Sequence, residues 1–369
     1  MADQYVDDGI PFLRSQNVTP FRIDCNDVKF IAAEFHQKLK KSALRPGDVA
    51  VVRTGYPGTA AVIPKNLPVC NCADLVIIRP SDQLDPWFLT CVFNSVWGRG
   101  LVAGNLVGVA QQHFNVGAAK NLRIALPPIG VQTRIASILS AYDDLIENNT
   151  RRIAILEEMA RRLYEEWFVK FRFPGHETAV FVDDGDFGPH PSGWESKTLQ
   201  DYVELAYGKA LKAEERIDGQ YPVYGSSGVV GSHNTYLVDG PGIIVGRKGN
   251  VGSVFLEAKP FYPIDTVYYV KTALPLEYVY NNLRRQNFIN NDAAVPGLNR
   301  NQAYSLPFLR PSDDVLLAFQ ELCAPLYVLS RVLGQKNANL RAQRDLLLPK
   351  LISGEIDVSQ VALPEADAA

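Results

Sequence analysis

The sequence predicts an α+β protein: two similar mixed α/β units separated by two long antiparallel helices that form a coiled coil. Three observations carry this. A glycine loop recurs, a polar turn recurs, and each copy leads into a long run of apolar residues at helical spacing. The first loop reads Arg53, Thr54, Gly55, Tyr56, Pro57, Gly58, Thr59 and the second Arg247, Lys248, Gly249, Asn250, Val251, Gly252, Ser253, displaced by 194 residues. A further match sets Asn115, Ala119, Leu122 and Pro127 against Asn299, Ala303, Leu306 and Pro311, displaced by 184. The drift in displacement indicates unequal loops on a shared scaffold. Two like units in one chain suit a protein that touches two similar things or one two-fold partner; a single catalytic pocket would not need them.

In chain order, the first unit occupies residues 1–129, with a buried strand at Val49 to Val52 before its loop and another run from Asp74 to Ile78 after it. Residues 130–170 form the first spacer helix, because Ile135, Ile138, Leu139, Tyr142, Leu145, Ile146, Ile153, Leu156, Met159, Leu163 and Trp167 follow at steps of mostly three and four. Residues 171–193 form a linker rich in Pro and Gly (Pro174, Gly175, Gly185, Gly188, Pro189, Pro191, Gly193). The second unit, 194–312, repeats the strands at Ile243 to Val245, Ser253 to Leu256 and Asp265 to Val270. The second spacer helix, 313–354, carries Phe319, Leu322, Leu326, Leu329, Leu333, Leu340 and Leu347, with Pro349 kinking or ending it and Gly354 as a stop. Helices of about 35 residues reach about 50 Å and cannot bury such stripes alone, so they are expected to pair with each other. The tail, 355–369, ends in small and acidic residues from Ala362 that read as disordered.

Composition bounds the function. The chain of 369 residues, 47% hydrophobic and 21% charged, is an ordinary soluble globular protein of two to three domains. A net charge of −3 means that any anion contact must come from local placement of Arg, Lys, Asn and Gln. Five scattered cysteines and no apolar signal segment point to a reduced cytoplasm and no membrane span. Cys70-Asn71-Cys72 has metal-like spacing, yet no second cluster completes four ligands. Five dispersed histidines leave little for acid-base catalysis, and the motifs of esterases, zinc proteases, deaminases and amino-methyltransferases are missing. Asp186, Glu195 and Lys197 echo a nuclease carboxylate cluster, but their place beside the linker marks chance spacing.

The candidate site lies in the loops. In Arg-x-Gly-x-x-Gly-Ser/Thr the glycines permit positive φ and close backbone approach, while the leading cation can meet a phosphate or a guanine edge. Taken alone, such a loop is a tight hairpin turn; the strand that follows excludes a nucleotide P-loop. Polar clusters accompany it: Arg14, Ser15, Gln16 and Asn17 with Tyr224, Gly225, Ser226 and Ser227, and Gln111 and Gln112 with Asn299, Arg300, Asn301 and Gln302. Arg, Asn and Gln are the side chains whose two-pronged hydrogen bonds suit guanine and adenine edges. Arg14, Gln16, Asn17, Arg53, Thr54, Tyr56, Tyr224, Ser226, Ser227, Arg247, Lys248, Asn250, Asn299, Arg300, Asn301 and Gln302 are the candidate contacts of a reader of polar edges, and the resemblance given next implies that they meet double-stranded DNA.

Several stretches resemble a known family. PPIGVQTRIASILSAYDDLIEN, from Pro127 to Asn148, is similar to the opening of the conserved helix in specificity (S) subunits of type I restriction-modification systems, and LLLPKLISGEIDV, from Leu346 to Val358, to the close of their second helix. RTGYPGT, RKGNVGS and VELAYGKAL, which starts at Val203, resemble their target recognition domains. The resemblance implies a non-catalytic subunit whose two recognition domains each read half of a split DNA site. It implies docking of two modification subunits that bind S-adenosylmethionine and methylate adenine, and of motor-nuclease restriction subunits that use ATP and Mg; this chain itself would bind no cofactor. The exposed helix faces, including Arg134, Asp144, Arg152 and Arg344, are the candidate docking surface. A scaffold that joins proteins without reading DNA is the alternative. One departure stands out: Trp194 to Gln220 precede Tyr221-Pro222-Val223-Tyr224, whereas nine residues precede the matching Ile10-Pro11-Phe12-Leu13. The expectation is a first recognition domain lacking its opening segment and impaired in reading DNA.

Overall fold

A computed structural model describes residues 4–67, 69–107, 113–183, 188–288 and 297–362. Gln111, Gln112, Gly185, Asp186 and the tail from residue 363 lie outside the described residues. Contacts divide the chain into two units, Met1–Arg151 with Leu333–Ala369, and Arg152–Val332. Each unit contains a globular part and a stretch of both long helices.

The first unit runs β1 (Tyr5–Val6), β2 (Ile10–Leu13), β3 (Val18–Thr19), β4 (Arg22–Ile23), β5 (Lys29–Ile31), α1 (Ala33–Lys38), β6 (Ala43–Leu44), β7 (Val49–Val52), β8 (Ala60–Val62), β9 (Cys70–Cys72) and β10 (Leu75–Ile78). Its main sheets have the orders β1-β5-β2-β9-β6 and β10-β7-β8. The β-branched run of β7 is buried on both faces, packing one way against β9 and β10 residues and the other way against helices, as an unbroken apolar strand requires. The Cys70 and Cys72 thiols are enclosed in β9, and burial pushes both up to about 12, so they stay protonated. Capping starts the next helices: Asp85 accepts from the Trp87 and Phe88 amides ahead of α2 (Pro86–Asn94), Ser95 caps α3 (Val96–Ala103), and Asn115 caps α4 (Val116–Asn121).

α5 (Ile129–Tyr164) follows the proline pair. Its buried Gln132 explains part of the opening signature: the Oε1 accepts from the Asp85 amide (2.9 Å), and the Nε2 donates to the carbonyls of Gln83 (2.9 Å) and Pro127 (2.7 Å). One side chain thereby ties the helix start to the loop before α2.

The second unit holds β11 (Phe181–Val182), β12 (His190–Pro191), β13 (Glu195–Thr198), β14 (Glu204–Tyr207), β15 (Tyr221–Gly225), β16 (Gly228–His233), β17 (Gly242–Gly246), β18 (Val254–Glu257), β19 (Tyr262–Pro263), β20 (Val267–Lys271), α6 (Leu276–Arg285), α7 (Arg300–Tyr304) and β21 (Pro307–Arg310). β11 and β12 form a short ladder inside the stretch expected to be only linker. The repeat is visible in the pairing. β10-β7-β8 matches β20-β17-β18, and the parallel pair β2/β9 (Phe12 opposite Asn71) matches β15/β19 (Val223 opposite Tyr262). In the second unit β20 also pairs with β14, and β21 with β13. Among the described residues β10 pairs with β7 alone.

α8 (Asp313–Ser353) is the second long helix. It continues through Pro349 for one more turn and stops at Gly354, whose φ of +77° ends the helix in the left-handed region. Within the first unit α5 and α8 are antiparallel: Asp143 meets Arg344, whereas Asn149, further along α5, meets Asn337, earlier in α8. Asn337 is 3% exposed and also donates to the Ile146 carbonyl and the Thr150 hydroxyl. This buried polar layer specifies the helix register, since a slip would strand its donors. Within the second unit Phe319 of α8 is fully buried against the rings of Tyr164, Trp167 and Phe168. By length and composition alone α8 is apolar enough to cross a membrane, but its Val315, Leu316, Phe319 and Cys323 belong to the second unit's core.

Candidate nucleic-acid interface

Both glycine loops are hairpin turns, β7 to β8 and β17 to β18. The Gly58 amide donates to the Val52 carbonyl (3.0 Å), and the Gly252 amide to the Gly246 carbonyl (2.9 Å). The second glycine of each loop is required twice over. Gly58 and Gly252 have φ of +90° and +75°, and a Cβ would come 3.0 Å from Val102 and 2.9 Å from Phe288. The polar turn then docks on each loop in the same way. Phe114 donates its amide to the Arg53 carbonyl (2.9 Å), Leu298 donates to the Arg247 carbonyl (2.8 Å), and the next residue, Asn115 or Asn299, caps a short helix.

In the second unit this brings most candidates together. Arg247 lies over the rings of Tyr207 (5.4 Å) and Tyr268 (5.9 Å), and Arg300 lies over Tyr207 at 4.9 Å. Asn250 reaches the Ser227 hydroxyl at 3.4 Å, and Ser253 donates to the Ser226 carbonyl. Lys248, Asn250, Asn299 and Asn301 are exposed. Asn299 Oδ1 accepts from the amides of Asn301 and Gln302, so its side chain shapes the turn.

Tyr224 departs from expectation. It is 7% exposed, its hydroxyl donates to Glu257 (2.9 Å), and burial followed by Glu257 pushes its pKa well up. It belongs to the core because its position in β15 points inward. Tyr207 went unrecognised as a site residue. It stands in VELAYGKAL, and its half-exposed ring under two guanidiniums is set by strand pairing, a signal that residue type alone does not carry.

In the first unit, Ser15, Gln16, Thr54, Tyr56, Thr59 and Arg99 line a cleft of about 850 Å³. Tyr56 is 84% exposed. Arg99 of α3 is a cation the loop pattern did not reveal, because it comes from a helix distant in sequence. Arg14 is ion-paired to Asp27 at 3.0 Å, and Gln16 donates to the same carboxylate. The hydrogen bond from Arg14, with Lys29 next, holds Asp27 below the usual carboxylate range. Asn17 is a second correction: it is 2% exposed and spends its amide on the carbonyls of Asp24 and Asp27, so it shapes the loop from inside. Arg53 has a buried Nε without a hydrogen-bond partner among the described residues.

Of the helix-face candidates, Asp144 and Arg152 are exposed. Arg134 is half-buried, donating to the Val361 carbonyl (2.9 Å) and to Gly130. Arg344 is not free on a surface: its side chain is 16% exposed, paired with Asp143 and Asp345, and stacked on Phe21. No group of three or more His, Cys, Asp or Glu side chains that could hold a metal occurs among the described residues.

The family profile described as type I restriction modification DNA specificity domain matches residues 7–158 and 191–302, one stretch for each repeat. The MjaIX type I restriction enzyme specificity subunit of Methanocaldococcus jannaschii is 25% identical over 280 residues, covering 66% of this chain and 62% of that one. The HindI specificity subunit of Haemophilus influenzae is 21% identical over 324 residues, covering 65% of this chain and 70% of the relative. The crystal structure of the type I restriction-modification S subunit from M. genitalium shares the fold, with a TM-score of 0.54 at 17% identity over 95% of this chain and 91% of that one. With both repeats matched over most of its length, this chain belongs to the type I restriction modification DNA specificity family.

Proposed function

We propose that the chain reads a split double-stranded DNA site, one half with each unit, and performs no catalysis. The observation that carries this is the recurrence, in both units, of a cation-led hairpin fastened by its carbonyl to an Asn-capped turn. A structural turn would not need to keep Lys248, Asn250, Asn299 and Asn301 exposed beside it in the second unit, where Arg247 and Arg300 meet over the Tyr207 ring. These side chains can meet phosphates and base edges, and the modest net charge confines attraction to such patches.

The helices are the surface on which two modification subunits and the restriction subunits dock. In the second unit Ile155 and Met159 of α5 and Leu322, Val328 and Val332 of α8 are exposed apolar residues, more than a solvated helix face needs. S-adenosylmethionine, ATP and Mg belong to those partners, and the complex works in the cytoplasm. Co-expression with a modification subunit followed by methylome sequencing tests this. The expected result is an adenine-methylated motif of two half-sites with a fixed gap; copurification without any motif would refute DNA reading and favour the scaffold, which the net charge of −3 otherwise supports.

A further inference from the structure

We propose that Arg247 reads a guanine in the half-site of the second unit, with Tyr207 as its positioning residue; this rests on the DNA-reading function above. A guanidinium has two donor edges. The Nε and Nη2 of Arg247 both donate to the Asp265 carbonyl, at 3.0 and 2.7 Å, which occupies the side edge. Among the described residues nothing occupies the end edge, made of Nη1 and the second Nη2 hydrogen, and it is the pair of parallel donors that matches the O6 and N7 acceptors of guanine. The Tyr207 and Tyr268 rings hold the plane of the group, with their centroids 5.0 Å apart and the guanidinium 5.4 and 5.9 Å away. Tyr207 is half-exposed, so the clamp stands at the surface. The same fork also matches a phosphate, which the Arg247→Lys variant below distinguishes from a guanine. Arg53, the counterpart in the first unit, has a buried Nε with no hydrogen-bond partner among the described residues, so among them the clamp is particular to the second unit.

The test is selection of bound duplexes from a randomised DNA pool by the full chain with its modification subunit, comparing wild type with Arg247→Lys, Arg247→Ala, Tyr207→Phe and Tyr207→Ala. The expected result is one G·C position in the second half-site whose preference falls about 5- to 140-fold in both Arg247 variants. Arg247→Lys keeps the affinity for non-specific DNA. Tyr207→Phe retains the preference, whereas Tyr207→Ala weakens it at that position and at any position that Arg300, over the same ring, contacts. If Arg247→Ala weakens all sequences alike and Arg247→Lys restores binding, Arg247 holds a phosphate and the inference falls. A wild-type site with no such guanine also overturns it. Failure of the wild-type complex to select any sequence would instead refute DNA reading itself.

Discussion

Replacing Arg344 with alanine strands a carboxylate inside the helix pair. Arg344 and Asp143 have side chains 16% and 18% exposed, and Asp143 Oδ2 is buried without a hydrogen-bond partner among the described residues even in the native protein. At about 4 Å and an effective dielectric near 20 the Coulomb attraction lost is about 4 kcal/mol. That agrees with the cost of about 3 to 5 kcal/mol for leaving one member of a buried pair uncompensated. The lost contact with Phe21 adds about 0.5 to 1 kcal/mol. Burial raises Asp143 above its ordinary value of 3.8 despite Arg344, and removing Arg344 raises it further. A raised carboxyl favours the folded state while it is protonated. The penalty in Arg344→Ala is therefore smallest below pH 3.8 and grows as pH rises through the folded pKa. Urea unfolding followed by circular dichroism across acidic to neutral pH reads this directly. The double variant Asp143→Leu/Arg344→Met should recover stability to wild type or exceed it by up to about 4 kcal/mol, because it buries no charge. A loss below about 1 kcal/mol at pH 7, or one equal at all pH values, would refute this account of the pair.

Three further outcomes are expected. Phe319→Ala empties the centre of the Tyr164, Trp167 and Phe168 cluster and should cost about 3 to 5 kcal/mol in urea unfolding; a negligible loss would mean that the cluster does not fasten α8 to the second unit. Gly252→Ala should cost more than Gly55→Ala: both sites have positive φ, about 1 kcal/mol of strain, but Gly252 alone meets a side chain, and equal melting temperatures would contradict this. Tyr224→Phe should leave DNA affinity unchanged and lower stability by about 0.5 to 1.5 kcal/mol; altered affinity in filter binding would place Tyr224 back in the interface.

Much of the fold is legible along the chain. The glycine spacing locates both hairpins, the β-branched run Val49 to Val52 is β7, and the steps of three and four in apolar residues anticipate both long helices. Pro349 does not end α8, because a late proline removes one backbone bond while the apolar face, including Leu348 and Leu351, stays buried with Ile135 and Leu139. The candidate site is legible in outline, since the places of Arg247, Lys248 and Asn250 follow from the loop pattern.

What the sequence by itself determined is local: repeat, period, caps and turn chemistry, all set by interactions within a few residues. Which polar groups face water was decided by tertiary structure. Tyr224 and Arg344 share residue types with surface binders, yet each is buried against a partner far away in the chain, Glu257 and Asp143. Tyr207 and Arg300, 93 residues apart, meet only because β14 pairs with β20 and the Leu298 amide docks on the Arg247 carbonyl. Burial and donor satisfaction are properties of such distant contacts, so no local pattern encodes them.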